Sequence, residues 1–381
     1  MTSRVERNID SVIARIDLMI NAQVNVILHH DAFQQLEASW RGVLQLTEQS
    51  WRDGQVKVRL LDLSYDELSK DLLNASDFDQ SMLFEKCYSE EFDQPGGEPY
   101  GLFVGDYYFC HRPSNDRADG VSLLREISKI AAACYAPFLA GASPALFGLD
   151  DFSEFKPSLI FESVFKMREY KRWTALRNED DVRFIGLTIP RYVIRKPYNQ
   201  DGVKLSHSWF AEIADHASDY LWANAAYAYA SVVIDTFSRD GWFSEIQGLN
   251  PKTGLGGVVP GLDRQYFSTD RLGAMPKMIT ETLITDDQER RLSDYGFIAL
   301  KDHPGSEKSV FYSSRSLQLA RRYDRLTASA NAKISSMLHY VLCISRFAHF
   351  IKVLARNKIG SFASAADCEA YLQRWLQQYC S

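Results

Sequence analysis

The 381-residue sequence predicts a mixed α/β protein, built from a layered sheet that long helices cover. Residues 100–109, YGLFVGDYYF, carry apolar or aromatic residues for both faces of a strand, which is typical of a strand covered on both sides. A helical period at 121–135 and an apolar run at 138–142 follow, and this strand–helix–strand succession favours a parallel crossover. We therefore expect 100–109 to be the central strand of the sheet.

The N-terminal region predicts two helices joined by a very short connection. Residues 5–27 are apolar at helical spacing and give the first helix one apolar face. A second helix is expected over 32–49, and its buried side is predicted to consist of Phe33, Leu36, Trp40, Val43 and Leu44. Helices connected so tightly are expected to pack as an antiparallel hairpin.

Three local patterns lie between this hairpin and the central strand. Residues 56–60 alternate apolar and basic side chains, which predicts a half-exposed strand. Ser64, with Glu67 three residues later, predicts a capping box for a helix that ends near residue 73. Residues 78–92 have helical spacing, and the Pro-Gly-Gly at 95–97 ends that helix.

The second half of the chain continues the alternation of helices and strands. Expected helices are 159–177, 220–237, 330–358 and 366–379, and expected strands are 183–190, 242–246, 297–300 and 310–313. Residues 248–278 are predicted to form a long glycine-rich loop. With a linker at 150–156, we expect three parts: 1–150 (hairpin and first part of the core), 151–290 (an inserted or second α/β subdomain) and 291–381 (the end of the core).

Charge and cysteine usage restrict the class of protein. A dispersed net charge of −6 argues against nucleic acid or an anionic membrane as the main partner. Six cysteines without CxxC spacing favour a reducing cytoplasm. The N-terminus has no signal-peptide core, and no apolar run approaches the length of a membrane span, since 335–350 is interrupted by His339, Arg346 and His349.

The sequence predicts no catalytic, cofactor or metal site. Neither glycine-rich stretch, 96–105 or 254–257, lies between a strand and a helix as a phosphate-binding loop requires. The pair His29-His30 favours a cap at a helix end over a metal site, because no matching ligand set follows. Cys343 and His349 lie in an apolar helical stretch, which favours inert core residues over a nucleophile and its base.

The run FDQSMLFEKCYSEEFDQPGGEPYGLFVGDYYF, residues 78–109, closely resembles the large sheath subunit of the bacterial type VI secretion system, the TssC/VipB family. Further blocks match in the same order, over about 9–375: ILHHDAFQQLEASWRG, APFLAGASPALFGLD, DVRFIGLTIPR, YLWANAAYAYA, LSDYGFIAL, ISRFAHFIKVLARNKIGSF and DCEAYLQRWL. The resemblance implies a phage tail-sheath-like fold.

The same resemblance implies a structural role without catalysis. The implied partners are the small sheath subunit TssB/VipA, copies of the chain in a helical assembly, the Hcp tube, the ClpV ATPase and the baseplate, in the cytoplasm. Relative to the family, we expect a short form without the usual terminal extensions, and the loop 248–278 departs from the family's acidic turn. These departures motivate a second hypothesis, a non-polymerising protein that regulates or caps a sheath. A third is an α/β enzyme of unknown chemistry, by analogy of fold alone.

Interface residues are predicted where the pattern indicates exposed positions that the core does not need. They are the first-helix face opposite Ile9 and Ile16, the loop at 254–261 and the arginine pair at 321–322, with Arg15, Gly254, Gly256, Gly257, Arg321 and Arg322 as the named candidates.

Overall fold

A computed structural model describes most of the chain. The described residues are 2–51, 54–94, 96–113, 119–156, 161–198, 210–214, 216–262, 279–303, 306, 308–358 and 365–379, with the side chains of 2–6, 161, 357 and 358 left out. The predicted loop 248–278 therefore lies partly outside the described residues.

The described strands form one large sheet and one small sheet. The strands are β1 (Phe103–Phe109), β2 (Phe138–Ala142), β3 (Ile185–Ile189), β4 (Tyr192–Val193), β5 (Trp222–Ala223), β6 (Phe297–Asp302) and β7 (Ser309–Phe311). The large sheet has the order β1-β2-β3-β6-β7, with parallel pairing from β1 through β6 and an antiparallel β7 at its end. Strands β4 and β5 pair antiparallel. The mixed α/β fold and the parallel pairing of β1 with β2 are thus confirmed.

Helices cover both faces of this sheet. The helices of the described residues are α1 (Thr2–Leu28), α2 (Asp31–Trp51), α3 (Tyr65–Asn74), α4 (Met82–Phe84), α5 (Gly120–Cys134), α6 (Phe161–Phe165), α7 (Lys171–Arg177), α8 (Ala225–Asp240), α9 (Asp286–Asp294), α10 (Leu326–Ser335), α11 (Leu338–Lys358) and α12 (Ala365–Gln377). One buried apolar cluster contains residues of α3, α5 and α7, and a second contains residues of α2, α8 and α11.

The prediction that 100–109 is the central strand was wrong. Strand β1 is at the edge of the sheet, and β3 occupies the middle position. Both faces of β1 are nevertheless covered, since Phe109 belongs to the α3–α5 cluster and Val104 packs against the α2–α8 cluster. A strand that is apolar on both faces requires cover on both faces, and an edge strand satisfies that condition as well as a central one does.

Most local predictions hold. The capping box at α3 is present: Ser64 accepts a hydrogen bond from the Glu67 amide, and the Glu67 carboxylate accepts one from the Ser64 amide. Strand β3, helices α5 and α12 and the pair β6–β7 lie within a few residues of their predicted bounds. The predicted helix 78–92 is real but irregular, because α4 continues as a π-helical turn over Glu85–Ser89.

Two predicted long helices are broken. Residues 161–177 form α6, a 3₁₀ turn and α7, and 157–160 lie outside the described residues. The helix predicted at 330–358 is interrupted at 336–337, where the Leu338 amide donates to the Ser314 carbonyl at 2.6 Å and the Ser316 amide donates to the Ser336 carbonyl at 2.9 Å. These contacts from a neighbouring segment take the backbone groups that a continuous helix would use.

Other differences concern segments with weaker patterns. Residues 242–246 form turns rather than a strand, and 56–60 are extended without belonging to a described sheet. The predicted linker contains Phe152 and Phe155, and both are buried in the core. Strands from all three predicted parts share the large sheet, so the boundaries at 150 and 290 do not separate independent sheets; the division itself stays a prediction.

Candidate interaction surface

Helix α1 leaves its apolar face uncovered. The exposed side chains recur at helical spacing and form what we call the α1 stripe: Ile9, Val12, Ile13, Ile16, Met19, Ile20, Val26 and Ile27. Met19, for example, is 65% exposed. Contiguous apolar surface of this extent on a folded chain is typical of a site where another protein binds.

The opposite, polar side of α1 attaches the helix to the body. The Asn21 and Asn25 side-chain oxygens accept hydrogen bonds from the amides of Ala211 and Ile213, each at 3.0 Å, and the Asn25 amide group donates to the Ala211 carbonyl at 3.3 Å. These side chains thus make hydrogen bonds to the backbone of 211–213 that a neighbouring strand would otherwise make. Helix α1 is therefore held by hydrogen bonds at its C-terminal end, and its apolar side is turned away.

A buried ionic cluster fixes the start of α2 near the same place. Arg195 pairs with Glu37 and Glu212, both at 2.6 Å, and all three side chains are at most 13% exposed. His29 lies 3.3 Å from Glu212. Burial by itself would raise the pKa of Glu37, but hydrogen bonds from Arg195 and Arg41 lower that pKa below its usual value. The cluster joins the α1–α2 connection to the segment after β4.

Helix α2 also turns its large apolar side chains outward. Ala38, Gly42 and Leu46 face the body, and the Gly42 backbone contacts the Tyr227 ring on α8. The exposed side chains of the opposite face are what we call the α2 stripe: Phe33, Leu36, Trp40, Leu44 and Trp51. The predicted buried side of α2 was therefore wrong for Phe33, Leu36, Trp40 and Leu44, of which Trp40 is 59% exposed. The close approach of α2 to α8 requires a glycine at residue 42.

The two stripes do not cover each other. Both apolar faces remain exposed, so those of α1 and α2 are not packed against each other. The antiparallel hairpin itself stays a prediction. Each large side chain that a partner removes from water contributes about 1 kcal/mol to binding, because roughly half of its surface is already covered. Together the stripes can account for a strong association.

The expectation that no stretch reaches membrane-spanning length was also wrong. Two described helical stretches, Arg7–Leu28 and Leu338–Arg356, are long and apolar enough to cross a bilayer. The second is partly buried in the protein, with Leu338, Val341 and Leu342 in the core. The first contains Asp10, Arg15 and Asp17 among its exposed or half-exposed residues, charges that a bilayer would have to accommodate.

Arg15, Arg321 and Arg322 are exposed, as predicted. Arg15 lies on α1 beside the stripe. Arg321 pairs with Asp180 at 3.2 Å, and both side chains remain more than half exposed. Among the described residues, no contact joins the arginine pair or the glycine loop to α1. Their roles as interface residues stay predictions.

The expected exposure of the glycine loop was wrong for two of its three named residues. Gly256 and Gly257 are buried, whereas Gly254 is half-buried. The Gly257 amide donates to the Gly248 carbonyl, and the Gly257 carbonyl accepts from the Phe311 amide, each at 2.8 Å. A β-carbon at residue 257 would lie 2.2 Å from the Phe311 oxygen, so glycine is required there for close backbone packing beside β7.

The side chains that suggested chemistry serve structural roles. His30 caps α2 by accepting from the Ala32 amide at 3.3 Å, His339 contacts the Ser314 hydroxyl at 2.9 Å, and the His349 ring contacts the Cys134 carbonyl at 2.9 Å. Burial raises the pKa of the Cys343 thiol. No group of three potential metal ligands occurs among the described residues.

An open cleft of about 440 Å³ is lined by residues at the end of α2 and the start of the next segment: Thr47, Glu48, Ser50, Trp51, Gly54 and Val56. Glu48 is the single ionisable side chain in that lining.

The α1 and α2 stripes were missed by sequence reasoning because an amphipathic period does not tell which partner covers the apolar side. The asparagines on the opposite side of α1 were the one available signal.

Known proteins match the chain along almost its whole length. The family described as EvpB/VC_A0108, tail sheath N-terminal domain (VipB) matches residues 10–318, and the EvpB/VC_A0108 tail sheath gpW/gp25-like domain matches residues 327–381. The type VI secretion system sheath protein TssC1 of Pseudomonas aeruginosa PAO1 is 40% identical over 377 residues, which cover 98% of this chain and 74% of that protein.

Proposed function

The chain belongs to the TssC/VipB family and is a contractile sheath subunit of a type VI secretion system, a structural protein and not an enzyme; on this premise we propose that the α1 and α2 stripes are its docking surface for the small sheath subunit, TssB/VipA. The exposed apolar stripes carry this proposal. A companion that supplies apolar helical surface would bury them in a helix bundle.

The remaining partners follow from a sheath role. We propose that the paired subunits assemble helically with further copies around the Hcp tube in the cytoplasm, that the assembly attaches to the baseplate, and that the ClpV ATPase acts on its contracted form. Contraction requires two packings of similar free energy, with the difference released when interfaces repack. Nucleic acid and membrane insertion have no part in this proposal.

Co-expression with the small subunit tests the docking surface. Ile13→Asp and Ile20→Asp place charges in the middle of the α1 stripe, and Trp40→Asp places one in the α2 stripe. We expect these variants to lose co-purification of the small subunit and formation of tubules visible by negative-stain microscopy. The free chain should keep its thermal unfolding temperature, because these side chains are exposed in it.

A matched control separates the stripe from the helix as a whole. Ser11 is on α1 and exposed, but it is about 100° around the helix from Val12, outside the stripe. Ser11→Asp should leave complex formation unchanged. Normal co-purification of the Ile13, Ile20 and Trp40 variants would contradict the proposal.

A further inference from the structure

Helix α2 is attached to α8 in a fixed register. The Gln45 amide group donates a hydrogen bond to the Ser231 hydroxyl at 3.4 Å. One turn further along both helices, the Gln49 amide group donates to the Asp235 carboxylate at 2.5 Å. The residue numbers of the two partners differ by 186 in each pair, so the helices run in the same direction and are matched turn by turn.

Both glutamines lie on the side of α2 that faces the body. Gln49 is buried and Gln45 is half-buried. The Gln45 side-chain oxygen also accepts a hydrogen bond from the hydroxyl of Tyr192, which is buried. Residues four apart on a helix project from the same face. A face that packs against the core therefore carries directional polar groups beside its apolar ones.

Helix α1 is attached by the same chemistry. Asn21 and Asn25 are also four residues apart, and both bond to the backbone of 211–213. Each helix thus carries a pair of amide side chains on the side opposite to its exposed stripe. These groups are uncharged, and each can both donate and accept. Their hydrogen bonds are directional, whereas apolar contacts are not.

The amide contacts contribute more to geometry than to stability. A hydrogen bond adds little net stability, because the same groups bond to water in the unfolded chain. A buried polar contact instead selects one arrangement, as a single buried asparagine does in a coiled coil.

The packing of α2 on α8 leaves a role for this selection. The close fit of Gly42 to the Tyr227 ring excludes registers one turn away, which would bring the β-carbon of residue 38 or 46 to the ring. Smaller slides and rotations of α2 are not excluded by that fit. The two glutamines exclude them, because their hydrogen bonds depend on position and angle.

We propose that four amide residues are positioning residues of the docking surface. They hold the α1 and α2 stripes in the one relative register that a rigid apolar face of the small sheath subunit fits. The four are Asn21, Asn25, Gln45 and Gln49. A stripe that slides or turns no longer presents its side chains at the spacing of that face, and closely packed surfaces do not tolerate such a mismatch. This inference rests on the proposed function.

Variants that remove the amide contacts of α2 but keep its packing test the inference. Gln49→Met leaves no unpaired charge, because Asp235 also pairs with Arg239. Gln45→Met is combined with Tyr192→Phe, since the buried hydroxyl would otherwise lose its acceptor. Replacing both partners of a hydrogen bond by apolar groups of similar shape is nearly neutral for stability. The denaturation midpoint of this triple variant should therefore stay close to that of the wild-type chain.

The triple variant should bind the small subunit about 10-fold more weakly or worse, because the partner must then order the stripe that the amides held in place. Tyr192→Phe alone is the matched control. It keeps the contact between Gln45 and Ser231, so its binding should be unchanged. Wild-type affinity of the triple variant, at an unchanged midpoint, would assign the amides to stability alone and overturn the inference.

A measurement on the free chain reports the register of α2 without the partner. Gly42 lies against the Tyr227 ring, whose ring current displaces the glycine α-proton resonance from its ordinary position. In spectra of the glycine-labelled chain, Gly42→Ala identifies this resonance by its loss. In the triple variant the resonance should move towards the ordinary position or split. An unchanged resonance overturns the inference even where binding is weaker, since the weakening then has another cause.

The corresponding variant of α1 combines Asn21→Leu with Asn25→Leu. The backbone amides of Ala211 and Ile213 can then bond to water, because neither residue is buried. The denaturation midpoint should be kept, while binding of the small subunit should fall by a factor similar to that of the triple variant. Full binding would overturn the inference for the two asparagines.

The outcomes separate this inference from the proposed function. Failure of the wild-type chain to bind the small subunit, or full binding by Ile13→Asp and Trp40→Asp, overturns the proposed function. Loss of binding in those stripe variants with full binding in the triple variant overturns the positioning inference alone and leaves the docking surface intact.

Discussion

The Gly42 backbone of α2 lies directly against the buried ring of Tyr227 on α8. A β-carbon at residue 42 would be 2.5 Å from the ring Cδ2 atom, closer than two carbon atoms can approach without displacement. This contact sets how near α2 lies to the body, and therefore which of its faces points outward. The α2 stripe is exposed because the opposite face is occupied by a glycine packed on a tyrosine.

We predict that Gly42→Ala destabilises the free chain even though alanine favours helices. Overpacking at a buried contact costs about 1–3 kcal/mol, more than the helix propensity gained, which is about 1 kcal/mol. Chemical denaturation should show a lower midpoint for this variant. Gly101→Ala is the control, because a β-carbon there meets no atom within 4 Å. An unchanged midpoint for Gly42→Ala would show that α2 can move away from α8 at no cost.

Glu212→Gln should destabilise the chain and release α1. The substitution keeps the shape of the side chain but leaves the Arg195 guanidinium, 7% exposed, without one of its two carboxylates. Breaking a buried ion pair in this way costs about 3–5 kcal/mol. Denaturation should show that loss, and hydrogen exchange should show faster opening at the C-terminal end of α1. Glu48→Gln, at an exposed position on α2, should change neither measurement.

Glu281 should make the stability of the chain depend on pH between about 4.5 and 7. Burial raises its pKa from 4.5 to about 7, although Arg191, with its Nε 2.8 Å from the carboxylate, opposes the rise. A pKa raised by folding stabilises the protonated folded form, so the contribution is fully present below pH 4.5 and is lost as the pH rises through 7. The total change is about 3 kcal/mol.

Comparison with Glu281→Gln isolates this contribution from those of other carboxylates. The free energy of unfolding of the wild-type chain, relative to the variant, should increase as the pH falls from 7 to 4.5. A difference that stays constant over that range would mean that Glu281 titrates at its ordinary pKa in the folded chain. Asp151 also contacts Arg191, at 3.1 Å. Burial by itself would raise the pKa of Asp151, but hydrogen bonds from Ser153 and Glu281 lower that pKa by more, so Asp151 stays charged over this pH range.

Charge reversal at Arg322 tests the predicted basic interface. Arg322→Glu should weaken assembly of the complex into tubules without changing the stability of the free chain, because Arg322 is exposed. Arg321 is a less clean choice, since it also pairs with Asp180. Lys171→Glu, an exposed charge reversal on α7, is the control. Tubules of normal length and yield from Arg322→Glu would remove this site from the interface.

Local signals in the sequence determined much of this protein. The capping box at Ser64, the strands β2, β3 and β6 and the amphipathic helix α1 were all predictable, because each depends on neighbouring residues that share one element. The ordered blocks of family resemblance predicted a sheath subunit, and the family match confirms it.

Only the tertiary structure decided which surfaces are covered. The period of α1 and α2 established that each helix has an apolar side, but Asn21, Asn25 and Gly42 turned those sides away from the body. The same holds for β1, whose two apolar faces did not reveal that its outer edge lacks a paired strand among the described residues. Burial is a property of two surfaces in contact, and a sequence pattern describes only one of them.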